Sequence, residues 1–481
     1  MKILVRTRTF YQLDLRALSL MRIGLALIIL ADLLIRGSDI SAMYTDEGWW
    51  PVRVVNIFGF KTGYWSLHLL SGSYTWQLIL FAFHFMLALF LLAGLRTRVI
   101  TTLLWLLTIS LHNRNLYINQ SGDDLLRLML FIGIFLPWNA YYSIDSKKRT
   151  ASNRSSHSAD LAYLLLIASV YFFTVNLKSG PEWRQDFTAI YYALSLEQLR
   201  LPFMGEWIYH SPALMKALTV FVYLIELLLP ILILFPSRKG HLRLIAFLCL
   251  LILHLGIGTT LYVGLFFLIN IVTAIGLIPS FAMDAIEKKI KMLKGKRRSL
   301  LPRYRSPLQR NIFRPAARYI CLSFILLSLF VNLSTLTWFR YELADAMNIP
   351  VNTFRFNQNW GMFSPNIIKR EGWFVHYGMD SIGRQWDMIR NEDYVNFEKP
   401  KSILKMHKSD RWRKLTENLQ REDMYFLRPL YCKYLLRRWN KKHPEKQLNS
   451  LSLYYMERQT LPGYMYSAPQ KKVYCVCDKS L

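Results

Sequence analysis

Apolar residues run in long blocks through the first two-thirds of the chain. A helix needs roughly 20 apolar residues to cross a hydrocarbon core. Blocks at 17–36, 76–95, 99–112, 125–142, 161–177, 213–235, 242–259, 261–280 and 318–338 predict about nine spans. The third is short and reads as tilted or partly interfacial. The break between the seventh and eighth is open, because Gly256, Gly258 and Gly264 offer several places for it. After residue 338 the pattern changes. Short alternating runs at 373–380, 384–389, 450–461 and 471–477 predict strands, and stretches around 412–420 and 431–439 predict helices. The fold class is therefore mainly α: a polytopic helical membrane bundle over 1–338 with a small C-terminal α+β extramembrane domain over 339–481. About 140 residues suffice for a core of its own.

Composition agrees with that division. The 481 residues are 53% hydrophobic, and the mean hydropathy is +0.19, which suits a membrane domain joined to a polar one. The formal charge of +29 raises nucleic acid as a partner. Its distribution argues against nucleic acid and for the lipid bilayer. Arg96 and Arg98, then Lys147, Lys148, Arg149 and Arg154, then Arg238, Lys239 and Arg243, and the run 288–314 fall on one side of a nine-span path. Lys2, Arg6 and Arg8 join them, and the opposite loops are poor in basic residues. By the positive-inside rule the N-terminus is cytoplasmic and the C-terminal domain lies on the outer side. The N-terminus reads as a signal anchor, being polar for sixteen residues with no small-residue cleavage site after the apolar run. The run 288–314 reads as a cytoplasmic linker touching anionic lipid. Five cysteines show no metal-ligand spacing, and no metal is predicted. Cys475-x-Cys477 reads as a strand, and a disulfide from Cys432 to one of the two requires an exported tail.

Ionisable groups at membrane depth are costly and face a cavity or a partner. The first span holds Arg22, Asp32 and Arg36; the last two are four apart and can pair, which suits a structural clasp as well as a site. Glu226 stands isolated in an apolar span, either protonated or facing a cation from another helix. His84 and Asn270 read as interhelical hydrogen bonds. Asp123 and Asp124, just before Arg127, suit the N-terminus of the fourth helix. An apolar helix also runs out at Asn176, Lys178 follows, and Gly180-Pro181 breaks the helix. Trp183 and an aromatic segment then fold back over the amine. The plain alternative is a lysine snorkelling to the interface.

Lys178-x-x-x-x-Trp183 followed by Ala189-x-Tyr191-Tyr192-Ala193-Leu194 resembles the transmembrane domain of vitamin K-dependent gamma-glutamyl carboxylase, and more closely its bacterial relatives, the horizontally transferred transmembrane domain (HTTM) proteins. The segment 119–145, the loop with Asp39, Tyr44, Asp46 and Gly48, the motif NWGMFSP at 359–365 and His254 extend the resemblance over roughly 10–370. It implies a bacterial inner-membrane protein in which Lys178 deprotonates a reduced quinone, vitamin K hydroquinone or menaquinol, with oxygen then generating an epoxide and a strong base. A lysine kept neutral by burial can do this. Trp183, Thr188, Tyr191, Tyr192 and His254 would line the quinone pocket in the outer third of the bundle. The carboxylase's Asn-His pair is Asn119-Gln120 here, and the tail is too short for its large lumenal part. The C-terminal domain is left as a site for a protein or peptide partner. A non-enzymatic assembly or lipid-binding protein that keeps the fold is the alternative.

Overall fold

The computed structural model describes residues 10–148, 155, 158–237, 239–293, 314–336, 338–339 and 344–479. Among the described residues the longer helices of the bundle are α1 Leu15–Gly37, α2 Tyr74–Ala93, α3 Thr97–Arg114, α4 Ser121–Gly133, α5 Ser158–Leu177, α6 Pro212–Leu234, α7 His241–Thr260, α8 Phe266–Ala274, α9 Ser280–Leu293 and α10 Arg314–Leu333. Their ends follow local chemistry. Asp14 caps α1 by accepting the amides of Arg16 and Ala17, at 2.9 and 3.3 Å. Ser73 caps α2, and Gly94, at φ +71°, ends it in the left-handed region that glycine tolerates.

Six helices among the described residues are long and apolar enough to cross a membrane: α1, α2, α5, α6, α7 and α10 over Ala316–Leu333. The segment Phe266–Leu277 with Ser280–Ile290 would make a seventh, but is bent by 101°. Nine is therefore not reached on length and composition. α3 carries Arg98, His112 and Arg114, and α4 has only 13 residues. The fourth expected block, 125–142, is helical only to Gly133. A Cβ there would meet the Trp138 ring at 2.0 Å, and the chain turns under that indole. Arg22 fixes the turn by donating to Trp138 O at 3.2 Å and Tyr142 O at 2.6 Å. The eighth block starts late, at Phe266, because Gly264 takes φ +57° beside Asp410.

The C-terminal part holds a four-stranded antiparallel sheet in the order β2-β1-β3-β4, formed by β1 Arg370–Met379, β2 Gln385–Asp387, β3 Ser450–Gln459 and β4 Gln470–Asp478. The central pair registers Trp373 with Met456 and Phe374 with Tyr455. On β3, Leu451, Leu453 and Tyr455 are buried on alternate positions, as a half-buried strand requires. Two helices, α11 Asp410–Leu419 and α12 Leu427–Lys442, accompany the sheet. A disulfide joins Cys432 on α12 to Cys475 on β4.

This tail is knitted to the bundle. Lys408 pairs with Asp39 at 2.6 Å, Lys441 with Glu47 at 3.0 Å, and Asn418 donates to Tyr117 O at 2.6 Å. Arg458 pairs with Glu197 at 2.9 Å. A second set of contacts gathers the opposite loops: Arg243 donates to Gln12 O at 2.9 Å, Arg16 to Ser280 O at 3.3 Å, and Asp145 accepts the amides of Arg96 and Thr97 at 3.0 Å each.

The deepest joint is ionic. Arg36 donates to Asp32 at 2.7 Å and to Asp123 at 3.0 Å. Arg411 of α11 donates to Asp32 at 2.7 Å and to Asp123 at 2.5 and 2.8 Å. Burial alone would weaken the Arg411 cation; the Asp123 and Asp32 carboxylates outweigh it and hold the guanidinium charged. The expected Asp32–Arg36 pair is thus present, but as half of a square. Asp123 also closes a capping box with Gln120.

Removing Arg411 strands two buried carboxylates with one guanidinium. Arg411→Ala should destabilise the protein by about 3–5 kcal/mol. Arg421→Ala, which breaks an exposed pair with Asp423, should cost less than about 1 kcal/mol. Thermal unfolding of both variants in detergent checks this, and similar midpoints would contradict it.

Candidate functional site

α5 ends at Leu177, and Ser179-Gly180 leads into the short helix Pro181–Arg184, with proline at its first position. A loop of the tail lies directly over this corner. Gly180 N donates to Pro365 O at 3.1 Å, and a Cβ on Gly180 would come within 2.5 Å of that same oxygen. Trp183 Nε1 donates to Phe363 O at 2.8 Å. The NWGMFSP stretch is therefore the lid of the corner, and its Trp360 is fully buried.

Beneath the lid, Lys178 is 4% exposed and its Nζ contacts the carboxylate of Glu226 on α6, itself 5% exposed. The ammonium sits 4.3 Å from the centroid of the Trp183 ring, a cation–π distance. Glu226 thus faces a cation just past the end of α5, one of the two arrangements that its isolation in an apolar span allows. Lys178 points inward instead of snorkelling to the headgroups.

A second polar group adjoins it. The Tyr171 hydroxyl lies 2.8 Å from His254 Nε2 and 3.4 Å from Asn270 Oδ1. His254 Nδ1 is buried with no hydrogen-bond partner among the described residues, and the Lys178 charge acts on this imidazole. Tyr171 and Asn270 complete the constellation but were not singled out with Lys178 from the sequence. Tyr171 stands about two helical turns before Lys178, hence on the same side of α5; the sequence offers Asn270 only as an interhelical hydrogen bond. Glu182 is a further omission: it is buried and pairs with Lys369 at 2.6 Å.

The aromatic wall differs from the expectation. Tyr192 is buried in a cluster with Trp183, Ala189 and Ile367, and Lys369 caps its ring at 4.4 Å. Tyr191 turns away. Its hydroxyl donates to Leu461 O at 2.7 Å and accepts the Tyr464 amide at 2.9 Å, and its ring stacks on Tyr209. On the helix Ala189–Ser195 adjacent tyrosines stand 100° apart, so their hydroxyls part while their rings stay in contact. Thr188 stands at the start of this helix without a side-chain cap, and its amide donates to Glu182 O at 2.9 Å. Two concavities stand out, one of about 750 Å³ at Ser41–Glu47 and Ser71–Tyr74 and one of about 460 Å³ at Asp284–Met292. Neither is lined by Lys178.

Asp32, His112 and Asp123 hold ligand atoms within 4.8 Å of one another, a spacing a cation could use. Their carboxylates are taken by Arg36 and Arg411, so the charge a metal would supply is already there. Arg127, expected near this region, contacts Asp124 and lies 2.8 Å from His112 Nδ1. Arg22 is a helix-end clamp that donates to the carbonyls of Leu92 and Tyr142.

Comparison of the chain with family models, with curated proteins and with solved structures finds no match.

The Lys178–Glu226 pair makes a double-variant experiment decisive. Lys178→Met or Glu226→Leu alone should cost about 3–5 kcal/mol by leaving a buried charge, and the combined variant should recover most of that. Unfolding midpoints in detergent report it. Additive losses would show that the two groups do not depend on each other.

Proposed function

We propose that this chain is an integral membrane enzyme of the vitamin K-dependent carboxylase type, with Lys178 as the base. The observation that carries the reading is the buried amine itself: Lys178 against Glu226, under Trp183, in an otherwise apolar bundle. The donor set fits a quinol head. To remove a phenolic proton the amine must be neutral; Glu226 would take the proton of the Lys178–Glu226 pair, and Lys178 would then accept that of the quinol. Trp183 and Tyr192 offer flat apolar surface, and His254 Nδ1 is a hydrogen-bonding group in want of a partner. A bound reduced quinone would supply reducing equivalents and, with oxygen, a strong base for a carbon acid.

The same reading places the N-terminus in the cytoplasm and the tail on the outer side of a bacterial inner membrane. The nine expected blocks each contain a helix, and a path alternating through them puts the residues at 38–48, 117–118, 197 and 264 on one face. Those are the places the tail touches. Gln12, Arg96, Arg243 and Ser280 then share the other face. Basic residues 2, 6, 8, 149, 154, 238 and 294–313 of the charge argument lie outside the described residues. The Cys432–Cys475 disulfide supports an oxidising compartment for the tail.

A second reading, a non-enzymatic membrane component, is favoured by one observation: the Lys178–Glu226 pair closes on itself. Incubation of the purified protein with vitamin K hydroquinone or menaquinol and oxygen separates the two. Epoxide should form, and Lys178→Arg should abolish it while the protein stays folded, because guanidinium remains protonated. An active Lys178→Arg protein would exclude lysine as base, and an inactive parent protein would favour the second reading.

The compartment has its own test. In intact cells, a membrane-impermeant reagent should reach an added cysteine at exposed Tyr394. Cys432 and Cys475 should react only after reduction. Protection of position 394 until the membrane is opened would reverse the topology.

A further inference from the structure

α9 leaves the preceding membrane segment at 101°. Phe266–Leu277 and Ser280–Ile290 together have the length and apolarity of one crossing, but at that angle they cannot both stand along the membrane normal, and the charged one, α9, suits the membrane surface. Its placement is fixed by three inward contacts. Met283 packs with Ala17 and Ile278. Arg16, 1% exposed, pairs with Asp284 at 2.8 Å and with Glu287 at 3.2 Å. Both carboxylates of α9 are therefore spent on the bundle.

What remains outside is apolar and basic. Ile286 and Ile290, one turn apart, are each 45% exposed. Phe281 and Met292, three turns apart on the opposite flank of the helix, are exposed as well. No carboxylate among the described residues pairs with Lys288 or Lys289. The 460 Å³ concavity runs along this flank, lined by Asp284, Glu287, Lys288 and Met292. The sequence continues basic, and no acidic residue occurs between Glu287 and Glu342.

We infer that α9 is an in-plane surface helix that binds anionic phospholipid, with Lys288 and Lys289 on the headgroups and Ile286 and Ile290 among the upper acyl chains. Charge complementarity selects this occupant over an acidic protein, because the apolar side chains alternate with lysines around one short helix at the depth where headgroups and acyl chains meet. The inference rests on the membrane assignment and is independent of any chemistry at Lys178.

The test uses the full chain carrying Ile290→Cys labelled with an environment-sensitive fluorophore, with labelling of the unsubstituted protein subtracted. In phosphatidylcholine–phosphatidylglycerol nanodiscs, lipids spin-labelled high in the acyl chain should quench the probe more than lipids labelled deep, and aqueous iodide should quench it little. Quenching by iodide but not by lipid would overturn the in-plane placement and leave the face to a protein partner. Titration of the detergent-solubilised chain with short-chain phosphatidylglycerol should give an affinity that Lys288→Glu with Lys289→Glu lowers by about tenfold or more. Lys288→Gln with Lys289→Gln should lower it by less, and serves if the charge-reversed protein unfolds. Equal affinity for phosphatidylcholine and phosphatidylglycerol, or no change in either variant, would overturn the headgroup contact.

Discussion

Four charges on three distant elements hold this protein in one piece. Asp32 and Arg36 come from the first helix, Asp123 from the start of α4, and Arg411 from the tail. Each ion taken out of water costs several kcal/mol unless it is paired and hydrogen-bonded. Here each carboxylate serves both guanidinia, so the signs alternate around the cluster. α1 alone is neutral, but α4 without α11 leaves an excess carboxylate, and α11 alone brings a lone cation. The bundle and the sheet are therefore coupled in stability, although their compositions read as two domains.

The Lys178–Glu226 pair obeys the same physics with a different consequence. It is a single pair, it lies under an aromatic ring, and its cover is a loop of the tail held by main-chain oxygens of Phe363 and Pro365. The tail thus performs two tasks on one face of the bundle. Through Arg411 it neutralises one centre, and through 360–367 it closes over the other. Any account of the amine as a base must let substrate past that cover. The Tyr171–His254–Asn270 group is the polar surface that such an opening would expose.

Arginine recurs in this fold where main chain ends in an apolar setting. Arg22 meets the carbonyls of Leu92, Trp138 and Tyr142, and Arg114 meets that of Trp50. Helix ends leave carbonyls without partners, and lipid offers none. A guanidinium with several donors can satisfy more than one carbonyl at once, as Arg22 does with Leu92, Trp138 and Tyr142.

Local sequence determined what depends on neighbours along the chain. Block hydropathy placed the helices, alternation placed β1, β3 and β4, and the four-residue spacing of Asp32 and Arg36 gave their bond. It also required that Glu226 have a partner and that the helix stop before Lys178. It could not say where a turn would replace a helix, as at Gly133, since that rested on Trp138 folding back beneath it. Nor could it tell that Tyr192 faces Trp183 while Tyr191 faces the tail. Partner choice was the tertiary structure's alone: Glu226 meets Lys178 across 48 positions, and Asp32 meets Arg411 across 379. Spacing fixes which residues share a helix face, but the rotation of one helix against another decides what that face meets. In a bundle whose spans are apolar nearly all round, that rotation is set by the few buried charges finding one another.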